Sequence, residues 1–271
     1  MVLLHLLFHC PHAKKIVAIH VNHGLQDEAS SWDSFCKKQA EKYNIFYQSF
    51  NANLNDAASN IEELARKERY RLIAEQMSEG DILLTAHHRD DQAETMLLQL
   101  MRGAGVDGLS AMPEVANFHQ GQLLRPLLHF SRAELESYAK QNQLQWVEDP
   151  SNADNSFDRN YLRNKVLPLL EKRWPAVSSN IARSAVNCSE AAELVKIKSR
   201  EDLLRCLGKY RYTLTIDELG QYSLARKHFI IRSWIQSNHA ALPDRHKVEK
   251  ICTEMIEARE DAQPLVSWSN I

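Results

Sequence analysis

The chain has 271 residues, of which 44% are hydrophobic and 25% charged, and these ordinary values exclude a disordered or fibrous protein. Its formal net charge of −2 excludes a basic nucleic-acid coat over the whole chain. The charge is uneven, because residues 1–150 carry 14 basic and 20 acidic side chains, whereas residues 151–271 carry 19 basic and 15 acidic ones. This asymmetry indicates that the second half meets an anion.

The five cysteines are scattered without a Cys-X-X-Cys pair, which argues against a disulfide framework and against a thiolate metal site. Free cysteines suit a reducing compartment, so we expect a cytoplasmic protein. The apolar start at residues 2–8 is far shorter than the ~20 residues of a membrane-spanning helix. It also lacks the basic region and cleavage site of a signal peptide, so we expect no membrane partner.

Apolar runs and amphipathic runs alternate along the first half of the chain. The amphipathic or buried-helix patterns predict helices at 2–8, 27–43, 60–77 and 90–101. Short apolar runs predict strands at 16–21, 45–50 and 81–85. Strands that alternate with helices are typical of a doubly wound, mostly parallel α/β sheet with helices on both faces. Such a sheet normally opens with a strand and this chain opens within a helix, so we expect the first strand to be missing.

The elements that follow are increasingly helical. An edge strand is predicted at 123–128, and Ser131 caps a helix through Gln141, with Glu134 completing a capping box. Beyond residue 150 the helical patterns are 159–172 and 176–207, with one short strand candidate at 212–216. We place the boundary near residue 190. This gives an N-terminally incomplete catalytic domain at 1–190 and a mainly helical domain at 191–271, which we expect to be C-terminally incomplete.

Ligands of open α/β sheets bind beyond the carboxyl ends of the strands, and one polar cluster follows the first predicted strand. It contains His20, Asn22, His23 and Gly24. Two imidazoles, an amide and a glycine at a strand end suit a ligand site. A loop whose histidine fills the edge of the core is an equally good interpretation.

A second cluster, Ala86-His-His-Arg-Asp-Asp-Gln-Ala-Glu-Thr95, follows the strand at 81–85. Asp90, Asp91 and Glu94 stand three or four residues apart, so their carboxylates converge on one helical face. Acidic residues in a first helical turn also complement the helix dipole, which is the alternative of a simple cap. A cap does not need His87 and His88 ahead of it. Converging carboxylates suit an ammonium group or Mg²⁺, and we favour a functional site.

Two groups of cations complete the candidates. Arg66 and Arg69 lie one turn apart on a helix, where a solvated face is the usual alternative. Arg159, Arg163 and Lys165 cluster near a helix start, where cations oppose the helix dipole. A bound anion such as a phosphate accounts for them better than an ordinary surface does.

Six motifs stand in a fixed order along the chain. They are His20-Val-Asn-His-Gly-Leu25, Ala65-Arg-X-X-Arg-Tyr70, Ala86-His-His-X-Asp-Asp-Gln-Ala-Glu-Thr95, Arg102-Gly-X-Gly-X-X-Gly-Leu109, Arg125-Pro-Leu-Leu128, and Glu148-Asp-X-Ser-Asn152 with Phe157-X-Arg-Asn-X-X-Arg163. In this order they resemble the tRNA(Ile)-lysidine synthase family of the PP-loop ATP pyrophosphatase group. The resemblance extends over roughly residues 2–190 and more loosely to the end.

The resemblance implies a two-step ligation on tRNA. The C2 oxygen of the wobble cytidine of an isoleucine tRNA with a CAU anticodon is adenylated by ATP. The amine of free lysine then attacks C2, AMP leaves and lysidine forms. The implied partners are therefore this tRNA and lysine, the implied cofactors are ATP and Mg²⁺, and a homodimer is left open.

The resemblance also suggests roles for the candidate residues. Asp90, Asp91 and Glu94 would bind the ammonium groups of lysine, or Asp90 and Asp91 would bind Mg²⁺. The phosphoryl charge would meet Arg66, Arg69, Arg159 and Arg163. The nucleotide would be bordered by His20, Asn22 and His23 together with Arg66 and Arg69. A proton would leave the attacking amine through His87 or His88. The positive second half would bind tRNA phosphates, which makes the helical domain at 191–271 a tRNA-binding domain.

One family motif does not occur in this sequence. The phosphate-binding loop Ser-Gly-Gly-X-Asp-Ser is expected immediately before Val2, where its backbone amides would cradle pyrophosphate. We therefore expect the 271-residue polypeptide alone to be inactive. Two alternatives stay open: a non-catalytic tRNA-binding remnant, and another PP-loop tRNA-modifying enzyme such as a thiolase, against which the lack of a Cys-X-X-Cys pair counts.

Overall fold

The computed structural model describes residues 1–11, 15–24, 29–52, 61–259 and 261–268. They form two compact units, Met1–Ala185 and Val186–Ile271. The division falls within one long helix, Val177–Cys206. The starts of the predicted helices at Asp27 and Asn60, and Leu25 of the first motif, lie outside the described residues.

Helices and strands alternate in the N-terminal unit, as the sequence predicts. Its helices are α1 (Val2–Phe8), α2 (Ala29–Lys42), α3 (Ile61–Ala74), α4 (Arg89–Met101), α5 (Val106–Leu109), α6 (Arg132–Gln141), α7 (Asp158–Tyr161), α8 (Leu167–Arg173) and the start of α9 (Val177–Cys206). Its strands are β1 (Val17–Asn22), β2 (Phe46–Asn51), β3 (Ile82–Leu84), β4 (Val115–Phe118) and β5 (Gly121–Leu124). A short 3-10 turn lies at Pro150–Ala153 and a π-helical turn at Leu162–Val166.

The described strands form two small sheets, whereas the sequence predicts one. β1 runs parallel to β2, with Val17 opposite Phe46 and Asn22 opposite Asn51. β3 runs parallel to β5, and β5 pairs antiparallel with β4, which gives the order β3-β5-β4. The parallel pairs confirm the predicted class.

The strand predicted at 123–128 corresponds to β5, but its predicted position at the edge of the sheet is wrong, because β5 lies between β3 and β4. The sequence prediction missed β4, which turns into β5 through a tight hairpin. Gly121 opens β5, and a Cβ atom there would lie 2.0 Å from the carbonyl oxygen of Asp81. Only glycine lets the two strands approach this closely.

The capping prediction for α6 is confirmed. Ser131 accepts a hydrogen bond from the Glu134 N–H, and the Glu134 carboxylate accepts one from the Ser131 N–H at 2.7 Å. The segment after residue 150 is helical as predicted, but it is interrupted by the π-helical turn at Leu162–Val166. Such turns are frequent at functional sites.

The C-terminal unit is helical around one apolar core. It contains the rest of α9 with α10 (Ile216–Gly220), α11 (Leu224–Ser237) and α12 (Arg245–Lys250), followed by a π-helical turn at Ile251–Met255. Buried side chains include Leu219, Ile230, Ile231 and Val248. The predicted strand at 212–216 is wrong, since a single β-bridge joins Leu207 to Leu214. In the part of the chain described here, no helix is long and apolar enough to cross a membrane.

Candidate active site

The two polar clusters of the sequence lie where β1 and β3 end. β1 ends at Asn22, and the Asn22 side-chain oxygen accepts a hydrogen bond from the Gly24 N–H at 2.8 Å. β3 ends at Leu84, and the next residue, Thr85, places its hydroxyl 2.8 Å from Nδ1 of His87. Segments at the carboxyl ends of strands are where α/β proteins bind ligands.

The first turn of α4 is held by a reciprocal cap. His88 Nδ1 accepts a hydrogen bond from the Asp91 N–H at 3.3 Å, and Asp91 Oδ2 accepts one from the His88 N–H at 3.0 Å. Asp90 Oδ2 accepts a hydrogen bond from the backbone N–H of Arg132 at 2.7 Å. The capping interpretation therefore accounts for part of what His88 and Asp91 do.

Glu94 lies one turn further along α4 and is fully buried, with 0% of its surface exposed. Its carboxylate accepts hydrogen bonds from Nε of Arg159 at 2.8 Å and from Nε and Nη2 of Arg163 at 2.7 and 2.9 Å. Arg163 Nη2 also donates to Asp91 Oδ1 at 3.2 Å. Two carboxylates and two guanidinium groups thus form one ionic cluster, which we call the Glu94 cluster.

The α7 segment and the π-helical turn after it supply both arginines of the Glu94 cluster. Burial disfavours the charged form of Arg163, but its hydrogen bonds to Glu94 and the charges of Glu94 and Asp91 outweigh this and raise its pKa. The anion opposite Arg159 and Arg163 is therefore a carboxylate of the chain itself. The sequence assigned the acids and the arginines separately to substrate groups and did not foresee that they meet each other. Lys165, the third cation of this group, is exposed.

His87 lies beside the Glu94 cluster in a half-buried position. Burial is the largest cause that lowers its pKa, to about 4; Asp91 opposes this shift, and Arg125, Arg159 and Arg66 add to it. The imidazole is consequently neutral at pH 7. Three guanidinium groups from separate parts of the chain act on it, which brings Arg66 of α3 to the same region as the residues of α4 and α7.

The cluster at the end of β1 adjoins α3. The pKa of His23 is lowered by burial, then by the charges of Arg69 and His20. Burial also lowers the pKa of His20, against the opposing charge of Asp33. His23 Nδ1 is buried and has no hydrogen-bond partner among the described residues. A buried polar atom of this kind needs a partner that the described residues do not supply.

Sequence reasoning quoted Arg125 in a motif but assigned it no role. Arg125 is 6% exposed, and its Nη1 donates to the carbonyl oxygen of Pro113 at 2.6 Å. The motif was the one signal in the sequence that pointed to Arg125. Its position near His87 could not be predicted, because the pairing of β5 with β3 determines it.

A cavity of about 660 Å³ lies next to the Glu94 cluster, within the size range of small-molecule sites. Besides Glu94 and Arg163, its walls include the charged side chains of Arg89, Asp90, Arg132, Glu136 and Glu171. Glu136 and Glu171 were not predicted from the sequence, because their place in the cavity wall depends on how α6 and α8 pack. The cavity has cationic and anionic walls and therefore suits a zwitterionic ligand.

Metal binding is not apparent from these side chains alone. No group of three or more His, Cys, Asp or Glu residues in the described ranges could hold a metal ion. The Mg²⁺ site at Asp90 and Asp91 stays a prediction. It would need further ligands from the phosphates of a bound nucleotide.

Comparison with known protein families agrees with this architecture. Residues 1–170 match the PP-loop domain family, and residues 214–271 match the TilS substrate binding domain. The chain belongs to the PP-loop domain family.

Curated relatives of the chain include tRNA(Ile)-lysidine synthases. The one from Legionella pneumophila (strain Lens) is 40% identical over 274 residues, which cover 100% of this chain and 62% of that protein. The one from Coxiella burnetii (strain RSA 493 / Nine Mile phase I) is 41% identical, covering 100% and 60%. The one from Yersinia pestis is 43% identical, covering 92% and 54%. The chain thus spans about three fifths of the length of these relatives. The resemblance to the tRNA(Ile)-lysidine synthase family is confirmed.

A solved structure shows the same fold at low sequence identity. It is the U34-tRNA thiolase NcsA from Methanococcus maripaludis with its 4Fe-4S cluster. The TM-score is 0.56 and the identity 20%, over 70% of this chain and 68% of that one. This similarity confirms the α/β fold class and carries no further conclusion about function.

Proposed function

We propose that the protein ligates lysine to C2 of the wobble cytidine of tRNA(Ile) with a CAU anticodon, with ATP and through an adenylated cytidine, to form lysidine. Identity of about 40% to lysidine synthases across the whole chain supports this assignment. The observation that carries it is the Glu94 cluster with His87 at its side and a charged cavity against it. Electrostatic groups fixed in advance are what adenylation and ligation require.

The nucleotide would lie between the ends of β1 and β3. Arg66 and Arg69 of α3 would contact it together with His20, Asn22 and His23. The charge of Arg69 acts on His23 and that of Arg66 acts on His87, which supports this placement. Guanidinium groups bind phosphates with charge-assisted hydrogen bonds, and the charge that develops during phosphoryl transfer strengthens them. The unsatisfied Nδ1 of His23 supports a polar ligand at this place.

Lysine would occupy the cavity beside Glu94. A free amino acid brings ammonium groups and a carboxylate, and the cavity offers Asp90 and Glu171 for the first. Arg132 pairs with Glu136 through its Nε at 2.7 Å, and its remaining N–H groups would bind the carboxylate. Glu94 would act by holding Arg159 and Arg163 in place, because both of its oxygens already accept hydrogen bonds from them.

His87 would act as the general base that accepts a proton from the attacking amine. Its imidazole is neutral at pH 7 because burial and three guanidinium groups lower its pKa to about 4. An anionic nucleotide would offset the guanidinium charge and raise this pKa, so that His87 becomes a better base only when substrate is bound. His88 would act as the helix cap that orients Asp91.

Three further expectations belong to this proposal. Asp90 or Asp91 would hold Mg²⁺, which would neutralise part of the phosphate charge of a nucleotide. The tRNA substrate implies a cytoplasmic location. A homodimer stays a prediction that the proposed chemistry does not require.

A lysine-incorporation assay tests the proposal. Labelled lysine, ATP and a tRNA(Ile) transcript with a CAU anticodon are incubated with the extended protein, which is this chain preceded by a strand ending in Ser-Gly-Gly-X-Asp-Ser. We expect ATP-dependent incorporation of lysine and release of pyrophosphate. A transcript with uridine at the wobble position is the control.

Two results would contradict this. Incorporation into the uridine control would show that cytidine C2 is not the target. Binding of tRNA by the extended protein without turnover would favour the non-catalytic remnant.

A further inference from the structure

A hairpin of the C-terminal unit presents two aromatic rings and two cations at its tip. We call residues 207–214, which include the tip Lys209-Tyr-Arg-Tyr212, the aromatic hairpin. Its last residue, Leu214, begins the region 214–271 that matches the TilS substrate binding domain, and its other residues lie between this region and the matched residues 1–170. The catalytic proposal gives it no role.

The base of the aromatic hairpin is well fixed. Leu207 and Leu214 form a β-bridge, and the Gly208 N–H donates to the Thr213 carbonyl oxygen at 2.9 Å. The Thr213 hydroxyl donates to the carbonyl oxygen of Tyr210 at 2.7 Å across the tip. These bonds reduce the conformational entropy that the tip would lose on binding a partner.

The backbone of the tip is held in an unfavourable conformation. Tyr212 has a φ of +62°, a value that bulky side chains rarely adopt. The packing of its own ring does not offset this, because Tyr212 is 56% exposed. Residues in such conformations concentrate at functional sites.

The exposed rings are interleaved with cations. Tyr210 is 72% exposed. The Arg211 guanidinium lies 4.6 Å from the ring centre of Tyr212, and Lys209 Nζ lies 6.0 Å from that of Tyr210. Residues 203–216 contain three basic side chains, Arg205 being the third, and no acidic one. This positive charge suits an anionic partner better than an uncharged, apolar one.

We propose that the aromatic hairpin binds unpaired nucleotides of an RNA, with Tyr210 and Tyr212 stacking on bases and Lys209 and Arg211 contacting phosphates. Exposed aromatic rings combined with cations are the usual elements of single-strand recognition. The identity of this RNA as the tRNA substrate rests on the proposed function. A protein surface is the competing partner, because Leu204 and Ile216 next to the hairpin are 70% and 56% exposed.

Binding of two labelled probes, measured by fluorescence anisotropy, tests the hairpin in the full chain. The probes are a tRNA(Ile) transcript with a CAU anticodon and a single-stranded uridine oligomer. Tyr210→Ala should raise the Kd for both by about tenfold, because it removes one stacked ring. Tyr210→Phe should bind like the wild type. Phe229→Ala is the matched control, since Phe229 is a 40% exposed ring on α11 of the same unit.

Two further variants separate binding from folding and charge from stacking. Tyr212→Gly suits the positive φ, so the thermal midpoint should hold or rise while the Kd rises. Lys209→Ala with Arg211→Ala should reduce the slope of log K against log salt concentration by about 1.4, the value for two phosphate contacts on a single strand.

Each outcome decides one of the two proposals. Wild-type affinity in Tyr210→Ala and Tyr212→Gly overturns the hairpin proposal and leaves lysine ligation untouched. Hairpin-dependent binding of RNA without lysine incorporation by the extended protein overturns the ligation and supports the hairpin. No RNA binding by the wild type overturns the hairpin proposal. A dimer that dissociates in Tyr210→Ala at unchanged RNA affinity makes the hairpin a contact between copies and overturns it too.

Discussion

Each unit of the protein buries one carboxylate between two cations, and the two arrangements differ in what surrounds them. Glu94 of the N-terminal unit is 0% exposed and Asp202 of the C-terminal unit is 1% exposed. Asp202 Oδ2 accepts hydrogen bonds from Nε and Nη2 of Arg226 at 2.9 and 2.7 Å, and Lys198 Nζ lies 3.4 Å from Oδ1.

The origin of the cations distinguishes the two clusters. Lys198 stands one turn before Asp202 on α9, and Arg226 lies 24 positions further on; their side chains are 53% and 46% exposed. Arg159 and Arg163 come from 65 and 69 positions beyond Glu94, and their side chains are 26% and 23% exposed. A buried ion pair by itself is thus a feature of packing. Convergence of distant cations next to a titratable histidine and a cavity distinguishes a site.

The first prediction is that Glu94→Ala destabilises the protein more than any other change considered below. It leaves the two half-buried guanidinium groups with Asp91 as the one carboxylate of the Glu94 cluster that remains, and removal of one partner of a buried pair costs about 3–5 kcal/mol. Urea unfolding measures the loss, and lysine incorporation by the extended protein should disappear with it. Glu79→Ala, at an exposed position, is the control. A loss below about 1 kcal/mol would contradict the pairing.

The second prediction concerns the pH dependence contributed by His87. The ordinary pKa is 6.5 and the folded protein lowers it to about 4, so the unfolded chain holds more protons between these values. Stability therefore falls as the pH drops from 6.5 towards 4, by an amount on the order of 2 kcal/mol for this residue. His87→Gln should flatten the curve of unfolding free energy against pH in that window. Parallel curves for both proteins would show that His87 is not buried as a neutral group.

The third prediction uses Asp202→Ala as the counterpart of Glu94→Ala. We expect a loss of about 1–2 kcal/mol, because Arg226 and Lys198 are exposed enough to regain water when their partner is removed. Lysine incorporation per folded molecule should stay at the wild-type level. Activity lost without unfolding would place Asp202 in the site and remove the distinction between the two clusters.

The smallest effect is expected at an ion pair on the surface. Arg71 of α3 bonds to Glu68 at 2.7 Å and also pairs with Glu75, and its side chain is 53% exposed. Pairs of this kind add little to stability because water screens them. Arg71→Ala should leave the urea midpoint and the lysine incorporation unchanged. A measurable loss of activity would extend the site along α3 beyond Arg66 and Arg69.

The sequence predicted much of the fold because local signals are strong in this chain. The capping box of Ser131 and Glu134 fixed the start of α6, and alternating apolar runs located β1, β2 and β3. β4 escaped prediction because its sequence, Val-Ala-Asn-Phe, is not a continuous apolar run, and the hairpin to β5 depends on the close approach at Gly121. The strand predicted at 212–216 failed because only one residue pair bridges there.

The sequence by itself determined which residues are candidates for the chemistry, since motif spacing placed His87, Asp91 and Glu94 at one helix end. Only the tertiary structure decided how they pair. Arg159 and Arg163 reach Glu94 from more than sixty residues away, and the two signs of charge cancel within the protein before any substrate arrives. Coulomb energy depends on distance in space and on burial. Neither quantity can be read from position along the chain.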